Sequence, residues 1–190
     1  MIVGLLLAAG GATRFGSQKL VASASGAPIV AQTARSLASL VDRLNVVVGS
    51  DADAVRSALD GLECTVVENH EWAAGLSTSL RCGIDSAPAD TKAVIVALGD
   101  QPGIDPGIVR KVIAKWRETG QPIVATRYRG NQGHPVLLGC SVFGDVRSIS
   151  GDVGARLLIE RDPSRVAFVD IDADAPRDVD TPDDLAALDA

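Results

Sequence analysis

Aromatic residues are scarce: Phe, Tyr and Trp together make up 3% of the 190 positions. With an apolar fraction of 46%, the core must be filled by Val, Leu, Ile and Ala. Positive charge is also short. Eighteen Lys and Arg face 24 Asp and Glu, for a net charge of −6, and no basic run stands out. A protein that tracks nucleic acid by its phosphates shows a basic face, so no nucleic-acid partner is expected. Cysteine is thin and scattered. Cys64, Cys82 and Cys140 are odd in number and lack C-x-x-C spacing. They form neither a disulfide framework nor a zinc site, and read as small buried hydrophobes. A long hydrophobic run is missing too. Met1–Ala9 is apolar, but Arg14 and Lys19 come too soon after it for a span of about 20 residues, and no basic segment leads it. It reads as a buried strand, with no membrane partner. Unpaired thiols without an export signal point to the cytoplasm.

The positive signal is alternation. Ile2–Ala8, Leu44–Val48, Ala93–Leu98 and Pro122–Ala125 are apolar runs of strand length, and Glu63–Val67 is a weaker strand nearer an edge. Between them Ile29–Leu40, Ala52–Leu59, Ser79–Ile84 and Ile108–Glu118 carry helical spacing. This is the pattern of parallel βαβ units in a layered α/β domain. Asp105-Pro106 marks a helix start, an N-cap with proline directly after it. Ser50 with Asp53 resembles a capping box, and Thr181-Pro182-Asp183-Asp184 opens a last helix reaching Ala190. Arg129–Gly133 is turn-rich and leads into Val136–Leu138, in a hairpin. The length suits one domain over 1–190, with a nucleotide-binding part at 1–126 and an acceptor-binding part at 127–190.

The strongest local signal comes directly after the first strand. Leu7-Ala8-Ala9-Gly10-Gly11 continues to Arg14, Gly16, Lys19 and Leu20. Glycines let the backbone turn and bring N–H groups close to a ligand. Arg14 offers a planar fork for phosphate and Lys19 a mobile point charge. Together they form an anion cradle at the carboxyl end of a parallel strand. The loop is not a Walker A motif, because Ser17 holds the lysine position. It is not a dinucleotide fingerprint either, because the glycine spacing fails and residues 28–40 read as helix.

Two carboxylates fit the same edge. Asp100 stands at the exit of the strand Ala93–Leu98, where it would hold Mg²⁺ against triphosphate oxygens or serve as a turn residue. Magnesium takes one or two protein carboxylates. Asp183 and Asp184 are explained by the helix they begin. Asp180 precedes the cap and is the second metal candidate, its alternative being a solvated loop carboxylate.

These residues together resemble the MobA-like nucleotidyltransferase family, and within it the molybdenum cofactor cytidylyltransferases. The family opening is matched at Leu7, Ala8, Ala9, Gly10, Arg14, Gly16, Lys19 and Leu20, with departures at Ala12 and Phe15. Asn69-His70-Glu71-Trp72-Ala73-Ala74-Gly75-Leu76-Ser77-Thr78-Ser79-Leu80 is similar to a second family segment, with Leu76 in place of Met. Gly99-Asp100-Gln101-Pro102 is similar to its metal-binding motif. Gly133-His134-Pro135-Val136-Leu137, Gly151-Asp152-Val153-Gly154-Ala155-Arg156 and Asp178-Val179-Asp180-Thr181-Pro182 come after it in the family's order.

The resemblance implies a three-layer, Rossmann-like α/β fold with a mostly parallel sheet, of the nucleotide-diphospho-sugar transferase type. It implies transfer of CMP from CTP to a molybdopterin phosphate, with Mg²⁺ as cofactor and a molybdoenzyme as recipient of the product. Leu7, Ala8, Ala9, Gly10, Gly11, Arg14, Lys19, Gly75, Ser79 and Asp100 would bind nucleotide. Lys19, Arg14 and Asp100 would act in catalysis, and Asp100 and Asp180 would hold the metal. His134 and Arg156 would meet the acceptor, against a turn role for the first and a solvated surface role for the second. Ser79 would bond the base or cap a helix. The guanylyl branch of the family shows Leu-Ala-Gly-Gly where this chain has Leu7-Ala8-Ala9-Gly10, so the Ala9 methyl points to cytosine by excluding the larger purine. Guanylyl transfer, another phosphorylated acceptor, and a non-catalytic cofactor chaperone are the competing readings.

Overall fold

In a computed structural model of the chain, residues 1–11 and 19–188 are described. The first strand, β1 (Ile2–Ala8), is buried throughout. Its side chains alternate: Ile2, Leu6 and Ala8 join one apolar cluster, Val3, Leu5 and Leu7 the other. A short hairpin, β2 (Ser23–Ala24) and β3 (Ala27–Pro28), leads into α1 (Ile29–Ala38). Next come β4 (Arg43–Val48), α2 (Ala52–Ala58), β5 (Thr65–Glu68), α3 (Leu76–Asp85) and β6 (Ala93–Leu98). The second half comprises α4 (Pro106–Thr119), β7 (Ile123–Tyr128), β8 (Asn131–Gly139), α5 (Phe143–Ser148), α6 (Ala155–Arg161), β9 (Val166–Ile171) and α7 (Pro182–Ala186).

Seven strands form one sheet in the order β5-β4-β1-β6-β8-β7-β9. Pairing is parallel except at β8, which runs antiparallel to β6 and β7. Helices α1, α2 and α4 cover one face through Val30, Val55 and Val109, while α3, α5 and α6 cover the other through Leu80, Val146 and Leu158. The result is the expected three-layer, mostly parallel α/β fold. The two apolar clusters are rich in Val, Leu, Ile and Ala, as the shortage of aromatics requires.

Local expectations hold in part. Asp105 caps α4 by accepting from the Gly107 N–H, with Pro106 at the first position. The capping box of Thr181 and Asp184 at α7 is complete. The box expected at Ser50 and Asp53 is not formed: Asp51 is the N-cap, in left-handed conformation at φ 52°, without a side-chain cap bond. The turn after Tyr128 is confined to Arg129 and Gly130, because pairing with β7 resumes at Asn131. Strand β9 has no counterpart among the sequence expectations. It is a half-buried edge strand with Asp170 inside it, so no continuous apolar run announces it. Edge strand β5 is also only half-buried.

Candidate active site

Strands β1 and β6 are parallel neighbours with Leu7 opposite Leu98, so the segments leaving them emerge at the same sheet edge. Ala9, Gly10 and Gly11 extend the first strand and Gly99-Asp100 the second. The Gly99 N–H donates to the Leu7 carbonyl at 2.9 Å. The closing segment is brought in by the fold. The Val179 N–H donates to the Asp100 carbonyl at 3.0 Å. Its side chain is buried with Ala24 and Ile29. This clamp sets Asp180 beside Asp100.

Lys19 completes the group. Its Nζ lies 2.7 Å from Asp100 Oδ2 and 2.6 Å from Asp180 Oδ1. Burial by itself would lower the lysine pKa, but the hydrogen bonds and charges of Asp100 and Asp180 outweigh it and hold the ammonium above its ordinary value. Two carboxylates that converge on one cation are an all-oxygen donor set suited to a hard divalent metal. No cluster of three or more His, Cys, Asp and Glu fit for a metal occurs among the described residues. A carboxylate pair leaves room for phosphate and water ligands, which is how magnesium is usually held. Arg14 lies outside the described residues.

A cavity of about 540 Å³ opens beside this cluster, lined by Leu7 to Gly11, Lys19, Trp72 to Leu76, Ser79, Asp100 and Asp152. Gly75 begins α3 at φ 108°, and a Cβ there would stand 2.5 Å from the Gly151 carbonyl carbon. Only glycine tolerates both the conformation and the approach. The Ser77 N–H donates to Gly151 O at 3.2 Å and the Leu76 N–H to Asp152 Oδ1 at 3.3 Å. Segment 151–152 therefore closes on the start of α3. Ser79 lies inside α3 and is not its cap. Its buried hydroxyl oxygen accepts from Asn69 Nδ2 at 3.0 Å. The Trp72 indole stands over Gly11, where a Cβ would come within 3.2 Å of the ring.

A second cavity, of about 890 Å³, shares Leu76, Leu98 and Asp152 with the first as a common partition. His134, Arg156, Gln101 and Asp178 line it. Burial pushes the His134 imidazole down to about 4 against the opposing pull of Asp178, so it is neutral near pH 7. The Tyr128 hydroxyl donates to the His134 carbonyl at 2.7 Å. Arg156 is an exposed rim residue whose Nε lies 2.6 Å from Glu160 Oε1. Gln101 Nε2 donates to Asp178 Oδ1 at 2.7 Å. In the sequence, Gln101, Asp152 and Asp178 stand within motifs but carry no assigned role. The signal that could have found them is position: Gln101 is next to Asp100, and Asp178 stands two residues before Asp180.

A parallel sheet with a glycine-rich first loop, a lysine and paired carboxylates at one strand edge, and two adjoining cavities is the layout of an enzyme of the nucleotidyltransferase type. The chain belongs to the MobA-like NTP transferase domain family, whose profile matches residues 4–166. It is 29% identical over 201 residues to nicotine blue oxidoreductase of Paenarthrobacter nicotinovorans, covering 98% of this chain and 96% of that protein. The structure of Rv0371c from Mycobacterium tuberculosis H37Rv is similar, with 31% identity, a TM-score of 0.85, and 99% and 96% of the two chains covered. Rv0371c is also known as a complex with manganese, at a TM-score of 0.80. A nucleotidyl transferase from Methanothermobacter thermautotroptrophicus matches with 25% identity and a TM-score of 0.81, over 100% of this chain and 96% of that one. Enzymes of this type use divalent metal ions. No helix among the described residues is long and apolar enough to cross a membrane.

Proposed function

We propose that this chain transfers CMP from CTP to the phosphate of a molybdopterin-type acceptor, forming the cytosine dinucleotide cofactor and pyrophosphate. The observation that carries this reading is the Lys19–Asp100–Asp180 cluster beside the first cavity, one partition away from the second. In this reading CTP lies in the first cavity, over the backbone of Leu7 to Gly11, near Gly75 and Ser79. The acceptor lies in the second, near His134 and Arg156. An acceptor phosphate oxygen forms the new bond to the α-phosphorus as the bond to pyrophosphate breaks. The acceptor is already anionic, so no protein nucleophile is required.

The chain's residues hold two anions in line and offset their charge. Lys19, with Arg14 of the same sequence motif, neutralises triphosphate oxygens. Asp100 and Asp180 hold Mg²⁺, which when bound adds further neutralisation at the phosphates. Ala9 is 3% exposed and lines the first cavity, where its methyl takes space a purine would need. Pyrophosphate release, measured with each nucleoside triphosphate in the presence of molybdopterin and Mg²⁺, tests the assignment. CTP is the expected substrate. Release with GTP in preference to CTP would move the enzyme to guanylyl transfer, and no release with any triphosphate would refute the reading.

A further inference from the structure

Ser79 lines the first cavity from inside α3 and is 4% exposed. Its hydrogen bonding is set by a buried neighbour, Asn69. The Glu71 N–H donates to Asn69 Oδ1 at 2.9 Å. A backbone N–H can only donate, so that atom is the amide oxygen and the other is the amide nitrogen. Both N–H groups of that nitrogen are spent. Nδ2 donates to Thr78 Oγ1 at 2.8 Å and to Ser79 Oγ at 3.0 Å. Thr78 gives its own hydroxyl hydrogen to the Gly75 carbonyl at 2.8 Å and is satisfied on both sides. Ser79 is not. Its oxygen accepts from Asn69, and no acceptor among the described residues takes its hydrogen. A buried hydroxyl hydrogen left this way costs free energy that an acceptor on a ligand would recover.

The cavity wall from Trp72 to Leu76, beside Ser79, carries no charge of its own. Trp72 contributes a flat indole with one side laid against Gly49 and Gly11. A neutral heterocycle suits this wall, whereas phosphates suit Lys19. Cytosine offers two ring acceptors, O2 and N3. Uracil shares O2 but carries an N–H at position 3. A hydroxyl committed to donating therefore tells the two pyrimidines apart only at N3.

We infer that Asn69 is a positioning residue that commits the Ser79 hydroxyl to donate to N3 of the base, so that the site favours CTP over UTP. The inference rests on the proposed nucleotide reading and adds the choice between pyrimidines. Asn69 itself touches no substrate and acts through Ser79.

The test is calorimetric titration of the full chain with CTP and with UTP, each with Mg²⁺ and without an acceptor. CTP is expected to bind at least about tenfold more tightly than UTP, since a site built around one hydrogen bond rejects the ligand that cannot make it. Asn69→Asp keeps the side-chain shape and the oxygen facing the Glu71 N–H, but replaces the two N–H donors by a second oxygen. A carboxylate accepting three hydrogen bonds stays ionised. Ser79 must then turn its hydrogen to that carboxylate and offer a lone pair to the base, so the preference should invert in favour of UTP. Ser79→Ala should bring the ratio of the two affinities close to one, and it decides the matter if the Asn69 variant does not fold. A merely structural role for Asn69 would weaken both nucleotides together and leave the ratio unchanged, which overturns the inference. A ratio that survives Ser79→Ala overturns it too, as does equal binding of CTP and UTP to the unaltered chain or no binding of either at millimolar concentration. CMP transfer is read separately. A preference that inverts in Asn69→Asp without pyrophosphate release from the unaltered chain would contradict the proposed reaction yet support this inference, whereas release from CTP with an unmoved ratio would do the reverse.

Discussion

Lys19 Nζ lies 2.7 Å from Asp100 Oδ2, although the two residues are 81 positions apart. One opens the short 3-10 helix Lys19–Val21, the first described element after β1, and the other stands at the exit of β6, whose parallel pairing with β1 brings the two segments to one edge. The same ammonium reaches Asp180 Oδ1 at 2.6 Å. A cation so held offsets the two carboxylates and stands beside the cavity assigned to the triphosphate. Lys19→Ala is expected to depress kcat more than it weakens CTP binding, because in the proposed transfer the lysine stabilises developing charge. Single-turnover rates and equilibrium binding of CTP separate the two quantities. A change confined to affinity would make Lys19 a ground-state anchor.

Asp100 bears a second expectation. Asp100→Asn keeps the side-chain shape and the backbone bond from Val179, so the fold should persist by circular dichroism. Turnover should fall by at least about a hundredfold, as loss of a main electrostatic group does. Near-normal rates at saturating Mg²⁺ would remove Asp100 from the metal site.

His134 predicts a pH dependence of stability. Its imidazole titrates at about 4 in the folded protein, against 6.5 ordinarily, because burial disfavours the charged form. Between those values the unfolded chain holds more protons, so stability rises with pH across that window and is lost as pH falls from 6.5 towards 4. The slope from this one group is at most about 1.4 kcal/mol per pH unit. Melting temperatures measured between neutral pH and the folded-state pKa of about 4 should therefore fall less steeply in His134→Gln than in the unaltered chain. Parallel curves would show that the imidazole is not buried as described.

Legibility in the sequence depends on the physics of each element. Strands β1 and β6 are readable at their full bounds because both faces are buried, which leaves an uninterrupted apolar run. Helix α4 announces itself by Asp105-Pro106, and α7 by its Thr181–Asp184 box. Strand β9 is invisible because an edge strand with exposed Asp170 has no such run. Within the site, Lys19, Asp100 and Asp180 are all legible as candidates, but the clamp that assembles them is not. Val179 looks like any buried valine until its N–H is seen to bond the Asp100 carbonyl. The partition made by Gly151 and Asp152 against α3, and the bond from Gln101 to Asp178, likewise depend on contacts between distant segments.

Ala9 supplies the expectation on base choice. It is buried at the end of β1 and lines the first cavity. Ala9→Gly should narrow the preference for CTP over GTP without inverting it, because one methyl in a pocket is worth roughly 1–3 kcal/mol. Competition between the two triphosphates for the same enzyme gives the ratio directly. An unchanged ratio would mean that the methyl plays no part in selection.

The most direct test of the whole account is a pyrophosphate-release assay with purified protein, molybdopterin, Mg²⁺, and CTP or GTP in turn. The account predicts release with CTP that requires molybdopterin and the divalent ion, with GTP a poor substitute. Release that proceeds equally well with GTP, or no release from CTP when both molybdopterin and Mg²⁺ are present, would contradict it.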